Sequence, residues 1–285
     1  MHVGSVKAVL APLTLTAFLA ACSPGQPDDA GEAKRPQGSE IPVAPAAPPP
    51  ATTEPAADGP LADVAESDPR YVIGISFPRQ ANAYPGMVKV LGDYAQSARA
   101  ELMQAVNGLD GQKPSAPYEL SLSFDVVADT PEIFAVAADG GRYTGGAHGE
   151  PLVARFTWLP KRQALLTTQE MLPTPAGLQA ASQYVREQLH TSASLRVDDD
   201  TVPPDQRMQL LDSENQMIDA GTAPEVSNFS LFQPVMNADG KIAAVRFVFP
   251  PYQVGSYADG TQTVDVPAPV LRPYLAPEYA DLFLK

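Results

Sequence analysis

The 285-residue chain is poor in the residues that build disulfides, metal sites and nucleic-acid interfaces. It has one cysteine and three histidines, and its 19 Lys and Arg residues stand against 33 Asp and Glu residues. A single cysteine excludes an intramolecular disulfide framework. His2, His148 and His190 do not lie at ligand spacing, so we expect neither a metal site nor a cofactor. The acidic balance argues against nucleic-acid binding, which needs a basic face.

The N-terminal apolar run, residues 8–19, is shorter than the roughly 20 residues that span a bilayer, and it is typical of a signal peptide. Residues 19–22, LAAC, resemble the lipobox of bacterial lipoproteins, in which the signal is cleaved before an acylated cysteine. The resemblance implies a lipoprotein signal peptide at 1–21 and lipid attachment, palmitate included, at Cys22. An ordinary secretory signal with a chance cysteine is the alternative. Ser23 resembles the residue of lipoproteins that are sorted to the outer membrane, facing the periplasm.

Residues 22–67 are rich in alanine, proline and acidic side chains and contain no aromatic residue. Such a segment buries too little apolar surface to offset the entropy lost on ordering. We therefore predict a disordered tether at 22–67 that links the lipid anchor to a folded body beginning at Asp68. Its prolines could alternatively be ligands for a recognition domain, but no specific motif supports this.

The remaining residues suffice for one large domain or for two smaller ones, 68–165 and 166–285. Apolar spacing predicts strands at 71–77, 119–128, 133–136, 152–158, 226–234, 241–249 and 263–266, and helices from Pro85 to Gly108, from Thr174 to about His190 and from 205 to 219. The order of elements predicts an α+β fold with antiparallel sheets, packed helices and two adjacent subdomains. Trp158 is expected to pack in the core. Asp198, Asp199 and Asp200 lack the ligand alternation of a calcium loop, so we expect a solvated loop or a helix start there.

Residues 143–149, YTGGAHG, carry three glycines in five positions, which predicts a tight loop between two strands with His148 at its tip. Histidine is a common general base, and His148 is the one catalytic candidate that the sequence offers. An imidazole in a glycine-rich turn more often bonds to neighbouring backbone and fixes the turn. The structural interpretation is therefore favoured over the catalytic one.

The same heptapeptide resembles the core of the bacterial domain family DUF4163. Residues 247–260, FVFPPYQVGSYADG, and residues 264–267, VDVP, look like its usual companion, DUF3298. Further matching positions are Asn228, Phe229, Leu271, Tyr274 and Leu275. Residues 158–163, WLPKRQ, depart from the family, which often has an acidic residue and a glycine turn there.

The resemblance implies a shared extracytoplasmic module. The pair of domains occurs in the extracellular part of a membrane-bound anti-sigma factor that binds lysozyme, and in the non-catalytic part of a peptidoglycan deacetylase. The chain shows no transmembrane helix, and it lacks the Asp-Asp and His-x-x-x-His metal motifs of the deacetylase. We therefore expect neither an anti-sigma factor nor a deacetylase.

Charge favours a binding role, because residues 166–285 contain fifteen acidic and seven basic residues, whereas residues 68–165 contain ten and nine. An acidic domain complements a basic lysozyme-like protein, although acidic surfaces also keep proteins soluble. His148, Tyr252 and Tyr257 are candidate partner contacts, and the two tyrosines could equally be structural.

Two functional hypotheses follow. The first is a lipid-anchored envelope protein that captures a basic, lysozyme-like cell-wall hydrolase or a wall component such as peptidoglycan. The alternative is an envelope enzyme that acts on peptidoglycan with His148 as acid or base. Because the sequence has no Gly-x-Ser-x-Gly elbow and no histidine cluster, binding is favoured over catalysis.

Overall fold

The computed structural model describes residues 60–197 and 203–285. Within these residues the strands form a six-stranded and a three-stranded sheet. The strands are β1 (Val64–Asp68), β2 (Tyr71–Ser76), β3 (Tyr118–Asp129), β4 (Phe134–Tyr143), β5 (Glu150–Leu159), β6 (Ala164–Leu165), β7 (Phe232–Met236), β8 (Ile242–Phe249) and β9 (Gln262–Pro267). The α-helices are α1 (Pro85–Asn107), α2 (Thr168–Met171), α3 (Pro175–Val197), α4 (Pro204–Gly221) and α5 (Ala268–Leu271). The predicted α+β class is confirmed.

The larger sheet follows chain order from β1 to β6. All of its pairings are antiparallel except β2 with β3, which is parallel because α1 crosses between these two strands. The sheets are therefore antiparallel, as expected, except at this one pairing. The smaller sheet, in the order β7, β8, β9, is antiparallel throughout.

Helix α1 covers one face of the larger sheet. Its apolar residues recur every three or four positions and are buried, from Met87 through Leu91 and Leu102 to Val106. They form the first hydrophobic cluster with inward-facing residues of β2 to β5, among them Phe134 and Trp158. The core position expected for Trp158 is confirmed, since its side chain is 5% exposed.

A second hydrophobic cluster joins α3, α5 and the smaller sheet to the other face of the larger sheet. Ile133 and Ala135 belong to this cluster, whereas Phe134 and Val136 belong to the first. The alternation follows from strand geometry, in which successive side chains point to opposite faces. Strand β4 thus contributes to both clusters. The proposed boundary between 68–165 and 166–285 stays a prediction.

Two segments differ from the sequence-based expectation. Residues 64–67, expected at the end of the tether, lie in β1, which pairs along its whole length with β2. Residues 226–229, expected as strand, form a 3-10 turn that buries Phe229 completely. In addition, α3 continues seven residues beyond His190 to Val197.

The predicted signal peptide, Cys22, the tether up to residue 59 and the aspartates at 198–200 lie outside the described residues. Within the described part of the chain, no helix is both long and apolar enough to cross a bilayer.

Candidate functional site

The glycine-rich loop joins β4 to β5, as the sequence predicts, and presents His148 to solvent. Gly145 and Gly146 adopt φ angles of 98° and 100°, which side chains other than hydrogen rarely permit. The hydroxyl of Tyr143 donates to the carbonyl of Gly146 at 3.2 Å and closes the loop. The glycines therefore serve a tight turn, and the turn places the imidazole at the surface.

A second loop, between β8 and β9, supplies the two candidate tyrosines. Tyr252 has a φ of 73°, a left-handed conformation that is uncommon outside glycine, and its backbone N–H donates to the carbonyl of Gly255 at 3.0 Å. Tyr257 begins a 3-10 turn that is fixed by a reciprocal pair of hydrogen bonds between Ser256 and Asp259. Both tyrosine side chains remain exposed, at 37% and 38%.

The structure brings His148, Tyr252 and Tyr257 together into what we call the aromatic cluster. The imidazole stacks on Tyr257 with ring centroids 4.1 Å apart and an interplanar angle of 23°. The hydroxyl of Tyr252 lies 3.1 Å from His148 Nε2, and the two tyrosine rings are 5.8 Å apart. The cluster therefore connects the β4–β5 loop to the β8–β9 loop.

The hydrogen bonds define the tautomer of the neutral imidazole. His148 Nδ1 lies 3.1 Å from the carbonyl oxygen of Gly149, which can only accept, so Nδ1 carries the proton. Nε2 is then the acceptor for the hydroxyl of Tyr252. The imidazole therefore bonds to the neighbouring backbone, as its structural interpretation predicts, while its ring stays exposed to solvent. An imidazole nitrogen that accepts a hydrogen bond from a phenol has a free lone pair and can also act as a base, which is the chemistry that the enzyme alternative requires.

Two clefts open on either side of the aromatic cluster. The first, which we call the helix cleft, has a volume of about 440 Å³ and lies between α4 and the β8–β9 loop, with Tyr252 at its edge. The second, the sheet cleft, has a volume of about 270 Å³ and is lined by the ends of β3, β4 and β5, with Tyr257 at its edge. Each cleft is thus lined by one tyrosine of the aromatic cluster.

The sheet cleft carries charge. Arg142 lies in its wall and is paired with Glu101 of α1 and with Glu150 of β5. Burial disfavours the charged guanidinium, but the hydrogen bonds to the two carboxylates outweigh burial and raise the pKa of Arg142. Glu119 is an exposed carboxylate on the same wall.

His190 lies away from the aromatic cluster, between α3 and α4. Its Nδ1 is 2.6 Å from the side-chain oxygen of Asn215 and its Nε2 is 3.1 Å from a carboxylate oxygen of Asp219. These contacts tie the two helices together. Over residues 60–197 and 203–285, no group of three or more His, Cys, Asp or Glu side chains is arranged to hold a metal ion.

Sequence reasoning missed the residues that shape the helix cleft. The side-chain amide of Gln253 donates to the carbonyls of Gly221 and Asn228, at 3.1 and 2.9 Å. The amide of Asn228 in turn donates to the carbonyls of Ala220 and Ala223, at 3.3 and 3.0 Å. Both residues lie in the stretches that resemble DUF3298, but the sequence alone indicates no role for either.

The chain matches no protein-family model. It is 22% identical over 196 residues to the peptidoglycan-N-acetylmuramic acid deacetylase PdaC of Bacillus subtilis (strain 168), a match that covers 68% of this chain and 37% of that protein. The chain thus corresponds to little more than a third of this curated relative.

Two solved structures of proteins described as members of the DUF3298 family resemble the chain. One, from Pseudomonas aeruginosa PAO1, is 17% identical with a TM-score of 0.48, covering 80% of this chain and 99% of that one. The other, from Bacteroides fragilis NCTC 9343, is 15% identical with a TM-score of 0.48, covering 76% and 93%.

Proposed function

We propose that the chain is an envelope protein that binds peptidoglycan through the aromatic cluster. The observation that carries the proposal is the convergence of His148, Tyr252 and Tyr257, from two separate loops, on a surface flanked by two clefts. Contiguous exposed apolar surface often marks an interaction site, and aromatic ring faces pack well against the C–H faces of sugars. The similarity to a protein named as a peptidoglycan deacetylase supports a peptidoglycan-related role.

The proposal includes a lipid anchor at Cys22 and a location in the cell envelope, at the outer membrane facing the periplasm. Its support is the lipobox-like sequence at 19–22 and Ser23. Multiple acyl chains give stable anchoring, whereas a single chain binds only marginally. A tethered body that binds peptidoglycan would link the membrane to the wall.

Capture of a basic, lysozyme-like hydrolase is the second candidate. The excess of acidic over basic residues in 166–285 favours this candidate. Electrostatic fields of opposite sign raise the rate at which two proteins meet and favour partners of complementary charge. Three of these fifteen acids are paired with arginines in the described structure, among them Asp219 with Arg186 and Asp265 with Arg246. Net charge alone selects no particular basic partner, whereas the similarity to a peptidoglycan deacetylase favours the glycan, so we rank glycan binding first.

Catalysis on peptidoglycan, with His148 as acid or base, is the third candidate. In the described residues His148 is hydrogen-bonded to Tyr252 and to the carbonyl of Gly149, and no carboxylate is bonded to its ring. A base of this kind would be oriented by the carbonyl of Gly149 instead of by the carboxylate of a nucleophilic triad. The loss of turnover in a folded His148→Ala protein would favour this candidate.

Cosedimentation of the full chain with insoluble peptidoglycan tests the proposal. Tyr257→Ala removes the ring that stacks on His148 and is expected to weaken binding about tenfold, or about 1.4 kcal/mol. Leu195→Ala is the matched control, because Leu195 is 70% exposed on α3 and lies outside both clefts. Equal loss in both variants, or no sedimentation of the unmodified chain, would contradict the proposal.

Titration with a basic lysozyme at two salt concentrations separates the second candidate from the first. One-to-one binding that weakens only moderately with salt would establish protein capture. Binding that salt abolishes would be nonspecific attraction between charged surfaces.

A further inference from the structure

The helix cleft is uncharged although it lies in the acidic half of the chain. Its lining contains no Asp, Glu, Lys or Arg. The lining residues are Ser213, Gln216, Met217, Ala220, Gly221, Asn228, Tyr252 and Gln253. Residues 166–285 carry fifteen acidic residues, and none of them belongs to this lining.

Two carboxylates of helix α4 are turned away from the helix cleft. Glu214 pairs with Arg196, and Asp219 lies between Arg186 and His190, so both carboxylates are directed at α3. The face that lines the cleft carries positions 213, 216, 217 and 220, a spacing of three and four residues that places them on one side of a helix. None of these four positions is charged, and the nearest other carboxylate along the helix, that of the exposed Asp212, lies one turn before Gln216 and is not part of the lining.

The walls of the cleft are held in place by backbone contacts. Gly221 packs so tightly against the β8–β9 loop that a Cβ atom there would lie 1.9 Å from the carbonyl oxygen of Gln253. The amide of Gln253 bonds to the carbonyl of Gly221 and thereby fixes the end of α4 against the loop. A cleft fixed in this way is largely formed before a ligand arrives, which lowers the ordering cost of binding.

The uncharged lining of the helix cleft is suited to a neutral acetamido group and not to a charged amine. The cleft volume of about 440 Å³ is within the range of small-molecule sites, roughly 300–1,000 Å³. An acetamido methyl can pack against Met217 and Ala220, while the sugar ring lies on Tyr252. A protonated amine would lose its hydration shell there without gaining a counter-charge.

We propose that the helix cleft selects N-acetylated amino sugars over their de-N-acetylated counterparts. The proposal rests on the glycan binding proposed above and adds the ligand class and the subsite. Binding would then depend on the acetylation state of the glycan chain, and enzymatic removal of acetyl groups from the glycan would release the protein.

Calorimetric titration of the full chain with the tetramer of N-acetylglucosamine and with the tetramer of glucosamine, at a pH that protonates the amines, tests the selection. We expect the N-acetylated tetramer to bind roughly tenfold more tightly or better. Equal binding of the two tetramers would overturn the selection and leave glycan binding standing. Binding of neither, together with no sedimentation on peptidoglycan, would overturn both proposals.

Charged variants locate the subsite. Ala220→Glu places a carboxylate in the cleft, and we expect it to weaken binding of the N-acetylated tetramer and to reverse the preference toward the glucosamine tetramer. Ser213→Glu does the same from the other end of the cleft. Gln188→Glu is the control, because it adds the same charge on α3 at an exposed position outside the cleft.

Melting temperatures establish that each variant folds. Unchanged preference in both folded cleft variants would show that the cleft is not the subsite and would overturn the inference. Reversal in Gln188→Glu would assign the effect to net charge instead of to the cleft, with the same consequence.

Discussion

Tyr252 combines an unfavourable backbone conformation with an exposed ring. A φ of 73° costs a non-glycine residue about 1–2 kcal/mol relative to glycine. The ring is bonded to His148 and lies at the edge of the helix cleft. Strain held in place by its surroundings is frequent at binding sites. In this conformation the ring contacts His148 and Tyr257 in the aromatic cluster.

This strain predicts an unusual order of stability among substitutions at position 252. Tyr252→Ala keeps the strain and loses the ring, whereas Tyr252→Gly loses both, so the glycine variant should be the more stable of the two by about 1 kcal/mol. Urea denaturation measures the difference. Tyr257, which starts a 3-10 turn, is the control site, and there alanine should be more stable than glycine by about 0.5–1 kcal/mol. The same order at both positions would contradict the argument.

Strand β1 is joined to α1 by a charged contact. Glu66 of β1 accepts two hydrogen bonds from Arg99 of α1, at 3.0 and 2.9 Å. These hydrogen bonds lower the pKa of Glu66 below its ordinary value of 4.5. A carboxyl whose pKa is lowered by folding stabilises the folded state above the unfolded pKa, and this contribution is lost as the pH falls through the folded pKa.

Acidification should therefore loosen β1 before the centre of the sheet. The test compares the hydrogen-exchange protection of the β1 and β4 amides at pH 7 and at pH 3, corrected for the intrinsic exchange rate. We expect the protection of β1 to fall about twofold to fivefold more than that of β4, a size that is typical of an exposed ion pair. The pKa of Asp68, lowered by its hydrogen bonds to Arg70, acts in the same direction.

Variants assign the loosening of β1 to its contact with α1. Glu66→Gln should show the reduced β1 protection already at pH 7. Lys89→Gln is the control, since it breaks an exposed pair with Asp93 within α1. Equal loss of β1 protection in the two variants would contradict the assignment.

The elements that could be predicted from the sequence are those with a strong local signal. Helix α1 begins at Pro85 and ends before Gly108, as its apolar spacing and its flanking residues predict. Strand β1 could not be found in this way, because its order comes from pairing with β2 and from the contact of Glu66 with Arg99. Composition alone assigned these residues to the tether.

The turn at 226–229 was missed for a related reason. Its apolar residues predict a strand, but the side chain of Thr168 donates to the carbonyl of Phe229 at 2.6 Å and the amide of Asn228 reaches the end of α4. Contacts of this kind, between residues distant in the chain, override local propensity.

At the scale of the whole molecule, the site is a product of tertiary structure. His148 and Tyr252 could each be singled out from glycine-rich and aromatic motifs, but they are 104 residues apart in the sequence. Their juxtaposition depends on the packing of the β4–β5 loop against the β8–β9 loop. The helix cleft likewise depends on the contact of Gly221 with Gln253. Binding geometry should therefore be sensitive to the packing between the two halves of the chain.

The shared strand β4 predicts that these two halves unfold together. Leu271 of α5 is fully buried in the second hydrophobic cluster, and Leu271→Ala should destabilise the protein by about 2–5 kcal/mol. Trp158, the sole tryptophan, reports on the first cluster. Because Ile133 and Phe134 are adjacent and point into different clusters, loss of one cluster removes the support of the other.

Tryptophan fluorescence and far-ultraviolet circular dichroism during denaturation measure this coupling. In Leu271→Ala the two signals should shift to lower denaturant by the same amount, in a single transition. Leu195→Ala, at a position 70% exposed on α3, should move neither by more than about 0.5 kcal/mol. If the fluorescence of Trp158 kept its midpoint while the dichroism acquired an earlier phase, residues 68–165 and 166–285 would be independent folding units, and the aromatic cluster would join two domains instead of two loops of one body.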